Sequence, residues 1–226
     1  MNVRQVDAVL FDLDGTLIDT AGDLLGALDD LRAAMGLPAV TQIFPPAVAA
    51  RGGRGILELG FPDIPDVAER YLPRYLDLYA ARIAHLSRPY PGIEPLLVQL
   101  MGAGVAVGIV TNKPESLARL LLRALGWDGR QFRILVGGDT LAVRKPAPEP
   151  IWHACKALHV EPERSVMVGD DRRDIASGLA AGCFSTIAVA YGYVETDDDI
   201  QRWGAQHCLD TPAQLAQGLL SMTGVR

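Results

Sequence analysis

Short apolar runs recur along the chain, each ended by a polar or turn-forming residue. The first, Ala8-Val9-Leu10-Phe11, stops at Asp12. Runs this short and this rich in β-formers suit strands buried on both faces. Val105 to Val110, Ile134 to Val136, Ser165 to Val168 and Thr186 to Ala190 read the same way, with Cys208-Leu209 as a short last strand. Helical patterns separate them at Ser116 to Leu125, Glu149 to Leu158 and Asp174 to Ala181. Strands alternating with helices predict an α/β fold, a parallel sheet with helices on both faces and right-handed connections.

One segment breaks this rhythm. From about Ile18 to Arg88 no strand pattern is visible. Apolar residues instead recur at helical spacing: Leu24, Leu25, Leu28 and Leu31, then Ile56, Leu57 and Leu59, then Tyr71, Tyr75, Leu76 and Tyr79. This predicts a helical insert after the first strand. The three tyrosines share one helix face and read as core of the insert rather than as a sugar platform. Pro89-Tyr90-Pro91-Gly92 cannot continue a helix and marks the return to the sheet. The expected division is an α/β core of residues 1–17 and 89–226 and a helical domain of residues 18–88. A chain of 226 residues accommodates one large and one small domain.

Composition narrows the function classes. A net charge of −6 argues against general affinity for nucleic acid or anionic membrane. No stretch approaches a transmembrane helix in length, and Met1 to Gln5 offers no signal-peptide apolar region. The expected location is the cytoplasm. Cys155, Cys183 and Cys208 are odd in number and lack metal-ligand spacing, which reads as reduced, packed thiols.

Candidate chemistry gathers at the strand ends, where ligands of open parallel sheets sit. The first strand runs into Asp12-Leu13-Asp14-Gly15-Thr16. Two carboxylates two residues apart share a face in extended chain, and the Gly15 turn lets backbone N–H groups approach an anion. The pattern fits a cation and phosphate site, or an Asp-Gly turn that simply ends a strand. The second run ends in Thr111-Asn112-Lys113-Pro114, whose hydroxyl and amide suit a phosphate or an ordinary helix start. Lys145, before Pro146, is held extended. It could bridge a carboxylate and a phosphoryl group, or be a surface lysine. Gly169-Asp170-Asp171-Arg172-Arg173-Asp174 places three acids in one loop. Such acids repel one another unless a cation such as Mg²⁺ neutralises them. The alternative is a solvated loop capping a helix from Ile175. In the insert, Arg51-Gly52-Gly53-Arg54-Gly55 reads as a flexible basic loop closing over the site, or as a solvated turn. Arg51 or Arg54 there could meet a substrate carboxylate.

Taken in order, these motifs resemble the haloacid dehalogenase superfamily over nearly the whole chain. Asp12 to Thr16 match its first motif, Thr111 the second, Lys145 the third, and Gly169-Asp170 with Asp174 the fourth. The resemblance implies a Rossmann-like parallel sheet core with a helical cap domain inserted after the first strand. Within the superfamily the chain is most similar to phosphoglycolate phosphatases and the closely similar bacterial N-acetylmuramate 6-phosphate phosphatases. Ser87-Arg88-Pro89-Tyr90 and Trp203-Gly204-Ala205 lean towards the latter. The implied activity is Mg²⁺-dependent hydrolysis of a small-metabolite phosphomonoester through an aspartyl-phosphate. Other sugar-phosphate hydrolysis and phosphosugar mutase chemistry are the alternatives.

The implied roles follow position by position. Asp12 attacks phosphorus, and Asp14 protonates the leaving alcohol and then activates water. Thr111 and Lys145 hold phosphoryl oxygens, with Gly15 and Asn112 beside them. Mg²⁺ binds the Asp12 and Asp170 carboxylates and the Asp14 carbonyl, supported by Asp174. An acid at Asp14 argues against dehalogenation, and the absence of lysine from residues 18–88 argues against Schiff-base phosphonate cleavage. The expected partner is a small phosphate ester, with no nucleic acid or membrane, for a monomer or homodimer.

Overall fold

The computed structural model describes residues 6–127, 131–195 and 198–224. Its centre is a parallel sheet of six strands: β1 (Ala8–Phe11), β4 (Ala106–Val110), β5 (Ile134–Val136), β6 (Ser165–Gly169), β7 (Ser185–Val189) and β8 (His207–Leu209). Their spatial order is β5-β4-β1-β6-β7-β8. The chain builds outward from β1 on one side and then crosses to the other at β6. That reversal flanks β1 and opens a crevice at its carboxyl end.

The apolar runs become strands because both faces are covered. Val9 and Phe11 join Val107, Ile109, Val166 and Val168 in one core, against α4 (Ile93–Gly102), α5 (Glu115–Ala124) and α8 (Pro212–Thr223). Ala8, Leu10 and Met167 point the other way, against α6 (Glu149–Leu158) and α7 (Arg172–Ala181). Each large side chain so buried contributes about 1.5–3 kcal/mol. Register is fixed by pairing Phe11 with Ile109 on one side and with Val168 on the other. The three loops that follow β1, β4 and β6 therefore emerge side by side.

The insert is helical: α1 (Ala21–Ala34), α2 (Gly52–Gly60) and α3 (Val67–Arg82). It has its own core, in which Leu28, Ile56, Leu57, Tyr75 and Tyr79 are essentially inaccessible. Two sequence expectations are corrected at its edges. Residues 18–88 are not strand-free, because β2 (Ile18–Asp19) pairs antiparallel with β3 (Arg88–Pro89). Two residues are too few to show a period, and the ribbon forms because the insert leaves and returns at one place. Nor is Arg51 to Gly55 a flexible loop. Gly52 opens α2, and helix packing overrides the glycine content. A Cβ on Gly53 would stand 3.0 Å from Leu72 and 3.1 Å from Tyr75, so α2 approaches α3 through that glycine.

A buried carboxylate clasps the two ends of the insert. Asp23, in the first turn of α1, accepts from Leu86 N at 3.0 Å, Ser87 N at 2.9 Å and Ser87 Oγ at 2.6 Å. The helices α4 and α8 had no sequence counterpart. The three cysteines are free, as expected. Among the described residues no helix is long and apolar enough to cross a membrane. Residues 1–5, on which the signal-peptide expectation falls, lie outside the described residues.

Candidate active site

Three strand ends converge on Asp12. The residue follows β1, and its N–H donates to Val168 O at 2.9 Å, which pins it beside the β6 loop. Lys145 arrives from the loop before α6 and is 3% exposed. Its Nζ donates to Asp12 Oδ1 at 2.8 Å and to Val110 O at 2.5 Å, and pairs with Asp174 Oδ1 at 2.6 Å. All three ammonium protons are thus committed. Burial works against this charge, but Asp12 and Asp174 outweigh it and hold the lysine above its ordinary pKa. The surface-lysine alternative is excluded by that burial.

The β6 loop supplies Asp170 and Asp174, both buried. Thr16 Oγ1 donates to Asp170 Oδ1 at 2.7 Å, and Tyr193 N donates to Asp170 Oδ2 at 2.8 Å. Gly15 lies against this carboxylate at φ +82°. A Cβ there would come within 2.0 Å of Asp170 Oδ2. The solvated-loop alternative is therefore overturned. So is the idea that Asp174 caps a helix from Ile175. The helix starts at Arg172, and Asp171 is its N-cap, accepting from Arg173 N at 2.8 Å. Asp174 occupies the third helical position and completes a capping box, accepting from Asp171 N at 3.1 Å. Asp171 thus caps α7. Its carboxylate also grips the Arg173 guanidinium at 2.7 and 2.6 Å.

Asp12, Asp170 and Asp174 each present an oxygen within 4.8 Å of the others. Burial raises the pKa of Asp170 first, and the charges of Asp12 and Asp174 raise it further. Burial likewise raises Asp174, against the pull of Lys145. One ammonium does not balance three clustered carboxylates. Their oxygens are hard donors of the kind Mg²⁺ prefers, so the residues present fit that ion.

The Asp14 side chain turns away from this cluster towards the insert. It accepts from Thr20 Oγ1 at 2.7 Å, and Lys113 Nζ donates to its two oxygens at 3.0 and 3.1 Å. The same ammonium donates to Tyr79 OH at 2.7 Å. Lys113 escaped notice as an individual residue in the sequence. The available signal was a second Lys-Pro step, like that of Lys145.

Around these groups lies a cavity of about 260 Å³ between sheet and insert. Asp12, Asp14, Thr111, Asn112 and Asp170 line it from the sheet, and Arg51 and Arg54 from the insert. Lys145 and Asp174 stand behind Asp12 and outside the lining. Asn112 Nδ2 donates to Lys145 O at 2.9 Å, which ties the second and third loops together. Both arginines are already paired with carboxylates in this structure. Glu195 holds Arg51 in a two-point fork at 2.7 and 2.9 Å, and Glu69 holds Arg54 at 2.5 Å.

Comparison with known proteins agrees with this geometry. The model of the family described as haloacid dehalogenase-like hydrolase matches residues 9–189. An N-acetylmuramic acid 6-phosphate phosphatase of Pseudomonas aeruginosa is 42% identical over 218 residues, covering 95% of each chain. A phosphoglycolate phosphatase of Xylella fastidiosa is 42% identical over 210 residues, covering 92% of this chain and 91% of that one. A crystal structure from Haemophilus somnus, of a predicted phosphoglycolate phosphatase, superposes with a TM-score of 0.82 at 24% identity. It covers 95% of this chain and 98% of that one, and bears on the fold alone. The sheet order, the insert after β1 and the match across residues 9–189 make this chain an enzyme of the haloacid dehalogenase-like hydrolase family.

Proposed function

We propose that this chain is a Mg²⁺-dependent phosphatase of small phosphomonoesters that works through a phosphorylated Asp12. The observation that carries the reading is the Asp12 carboxylate, open to the cavity, backed by Lys145 at 2.8 Å and clustered with Asp170 and Asp174. An anionic nucleophile facing a phosphate needs fixed positive charge at the point of attack. When bound by Asp12, Asp170 and the Asp14 carbonyl, with Asp174 in support, Mg²⁺ supplies part of that charge.

The chain's own residues account for the steps. A carboxylate oxygen of Asp12 forms the new bond to phosphorus while the bond to the alcohol oxygen breaks. Asp14 gives that oxygen its proton. Asp14 then takes a proton from water, whose oxygen attacks the phosphorus of the acyl phosphate and frees Asp12. Splitting one displacement into two gives two easier steps. Lys145, Thr111, Asn112 and the backbone at Gly15 steady the phosphoryl oxygens or the groups that face them. Residues 18–88 act as a cap over a core of residues 1–17 and 89–226. The β2–β3 ribbon and the Asp23 clasp stand at the two crossings and support that division. The reaction takes place in the cytoplasm.

The first reading of the substrate is phosphoglycolate, after one set of relatives. The second is N-acetylmuramic acid 6-phosphate. Cavity size and an apolar wall of Leu24, Leu72, Leu76 and Leu117 favour the second, since a two-carbon ester needs neither. Both esters carry a carboxylate, for which Arg51 of the cavity lining is a candidate partner beside Glu195. Phosphate release with Mg²⁺ from both esters, other sugar phosphates and nucleotides tests the proposal, with Asp12→Asn as the blank. Release by the wild type and at least a ~10³-fold loss in the variant are expected. Comparable turnover by Asp12→Asn would remove the covalent mechanism.

A further inference from the structure

Two tyrosines of α3 border the cavity, and their hydroxyls differ in one respect. Tyr75 OH donates to Leu24 O at 2.9 Å and is spent within the insert. Tyr79 OH is an acceptor, taking a proton of Lys113 at 2.7 Å. Among the described residues nothing accepts the proton that Tyr79 itself carries. The residue is 1% exposed and lines the cavity, so a ligand held there lies within reach of that hydroxyl.

The Lys113 ammonium sharpens this donor. It lies 4.2 Å from the centre of the Tyr79 ring and touches the hydroxyl oxygen. Accepting from a cation polarises an O–H bond and strengthens what it donates. Burial also keeps the phenol protonated, with its pKa pushed up to about 12. Lys113 simultaneously holds both oxygens of Asp14. The Tyr79 donor and the proposed proton donor to the leaving alcohol are thus fixed from one nitrogen.

We infer that Tyr79 is a specificity-determining residue whose hydroxyl donates to an acceptor oxygen on the carbon next to the one bearing the phosphate. The inference rests on the phosphatase reading and deepens it. The substrate class is then phosphomonoesters with two oxygens on neighbouring carbons, one phosphorylated and one a carboxylate, ether or hydroxyl. An ester lacking the second oxygen leaves the hydroxyl unpaired in the closed site, a loss its binding cannot recover. Lys113 acts through its two neighbours as a positioning residue, supplied by the core to a tyrosine supplied by the insert.

The test compares kcat/KM for 2-phosphoglycolate, 2-hydroxyethyl phosphate and ethyl phosphate. The last two differ only in the second oxygen, and the first carries it in a carboxylate. In the wild type both oxygen-bearing esters should exceed ethyl phosphate by about tenfold or more. Tyr79→Phe keeps the ring and should bring that ratio close to one, mainly through KM. A uniform loss on all three esters would assign Tyr79 to packing and overturn the inference, as would an undiminished ratio. Should the variant fail to fold, the wild type still decides, because equal rates on ethyl and 2-hydroxyethyl phosphate mean that no second oxygen is read. Failure of the phosphatase reading looks different, with no phosphate released from any ester.

Discussion

Gly15 shows how much one missing atom can decide. Its φ of +82° is a region side chains rarely adopt, and the space where a Cβ would stand is taken by Asp170 Oδ2. Gly15→Ala should cost more than ~1 kcal/mol of stability and also displace a proposed Mg²⁺ ligand. A urea melt reads the first effect. A rise in the Mg²⁺ needed for half-maximal activity reads the second, and an alanine variant with wild-type Mg²⁺ dependence would refute the link. The glycine itself is legible in the sequence as a turn before an anion site. The partner it makes room for is not, because Asp170 is 155 positions away. Separation along the chain also hid Lys113, whose ammonium meets Asp14, 99 positions away, and Tyr79 of the helical insert, 34 positions away.

Helix ends and strand pairs carry the next set of consequences. Asp23 joins the first turn of α1 to the chain returning at Leu86 and Ser87. Asp23→Ala strands a buried hydroxyl and two N–H groups, each costing about 1–3 kcal/mol if left unsatisfied. A clear drop in thermal midpoint is expected, and an unchanged midpoint would show that the clasp is dispensable. The capping box of α7 should give a pH signature. Burial by itself raises Asp171, but hydrogen bonds and charge from Arg173 more than reverse this and hold its pKa below the ordinary value. A lowered folded pKa adds stability that is present above the unfolded pKa and is lost as pH falls through the folded one. The gap in urea midpoint between wild type and Asp171→Asn should therefore be full at pH 7 and narrow below about pH 4. A gap that widens on acidification would contradict the pairing.

Taken together, the molecule places two buried acids, the partly exposed Asp12 and one buried lysine at the carboxyl end of β1. That is an unfavourable arrangement on its own. A bound divalent cation relieves the repulsion, and a ligand that binds only the native state raises its stability by mass action. Mg²⁺ should raise the thermal midpoint of the wild type and have much less effect on Asp170→Asn. A chelator should stop phosphate release, and added Mg²⁺ should restore it. Full activity after exhaustive chelation would take the ion out of the scheme. Two contacts join the helical insert to the loops of the sheet in this structure: Arg51 pairs with Glu195, and Arg173 Nη2 donates to Ala50 O at 2.9 Å.

Much of this was open to inspection in the chain itself. The strands at Ala8, Val105, Ile134, Ser165 and Thr186 were readable because a sheet covered on both faces demands unbroken apolar runs. Asp12, Asp14, Thr111, Lys145, Asp170 and Asp174 were readable because each follows such a run or sits in a motif at a fixed place in the order. The α-helices α4 and α8, the β2–β3 ribbon and the helical start of α2 were not. They depend on what packs against them, and a two-residue strand or a glycine-rich helix has no period of its own. The charge balance was equally hidden. Sequence offers Arg51 and Arg54 as partners for a substrate carboxylate and Asp171 as one of three acids in a loop. Only folding brings Glu195 and Glu69 to within hydrogen-bond distance of Arg51 and Arg54, because Coulombic and hydrogen-bond partners are chosen in space and not along the chain.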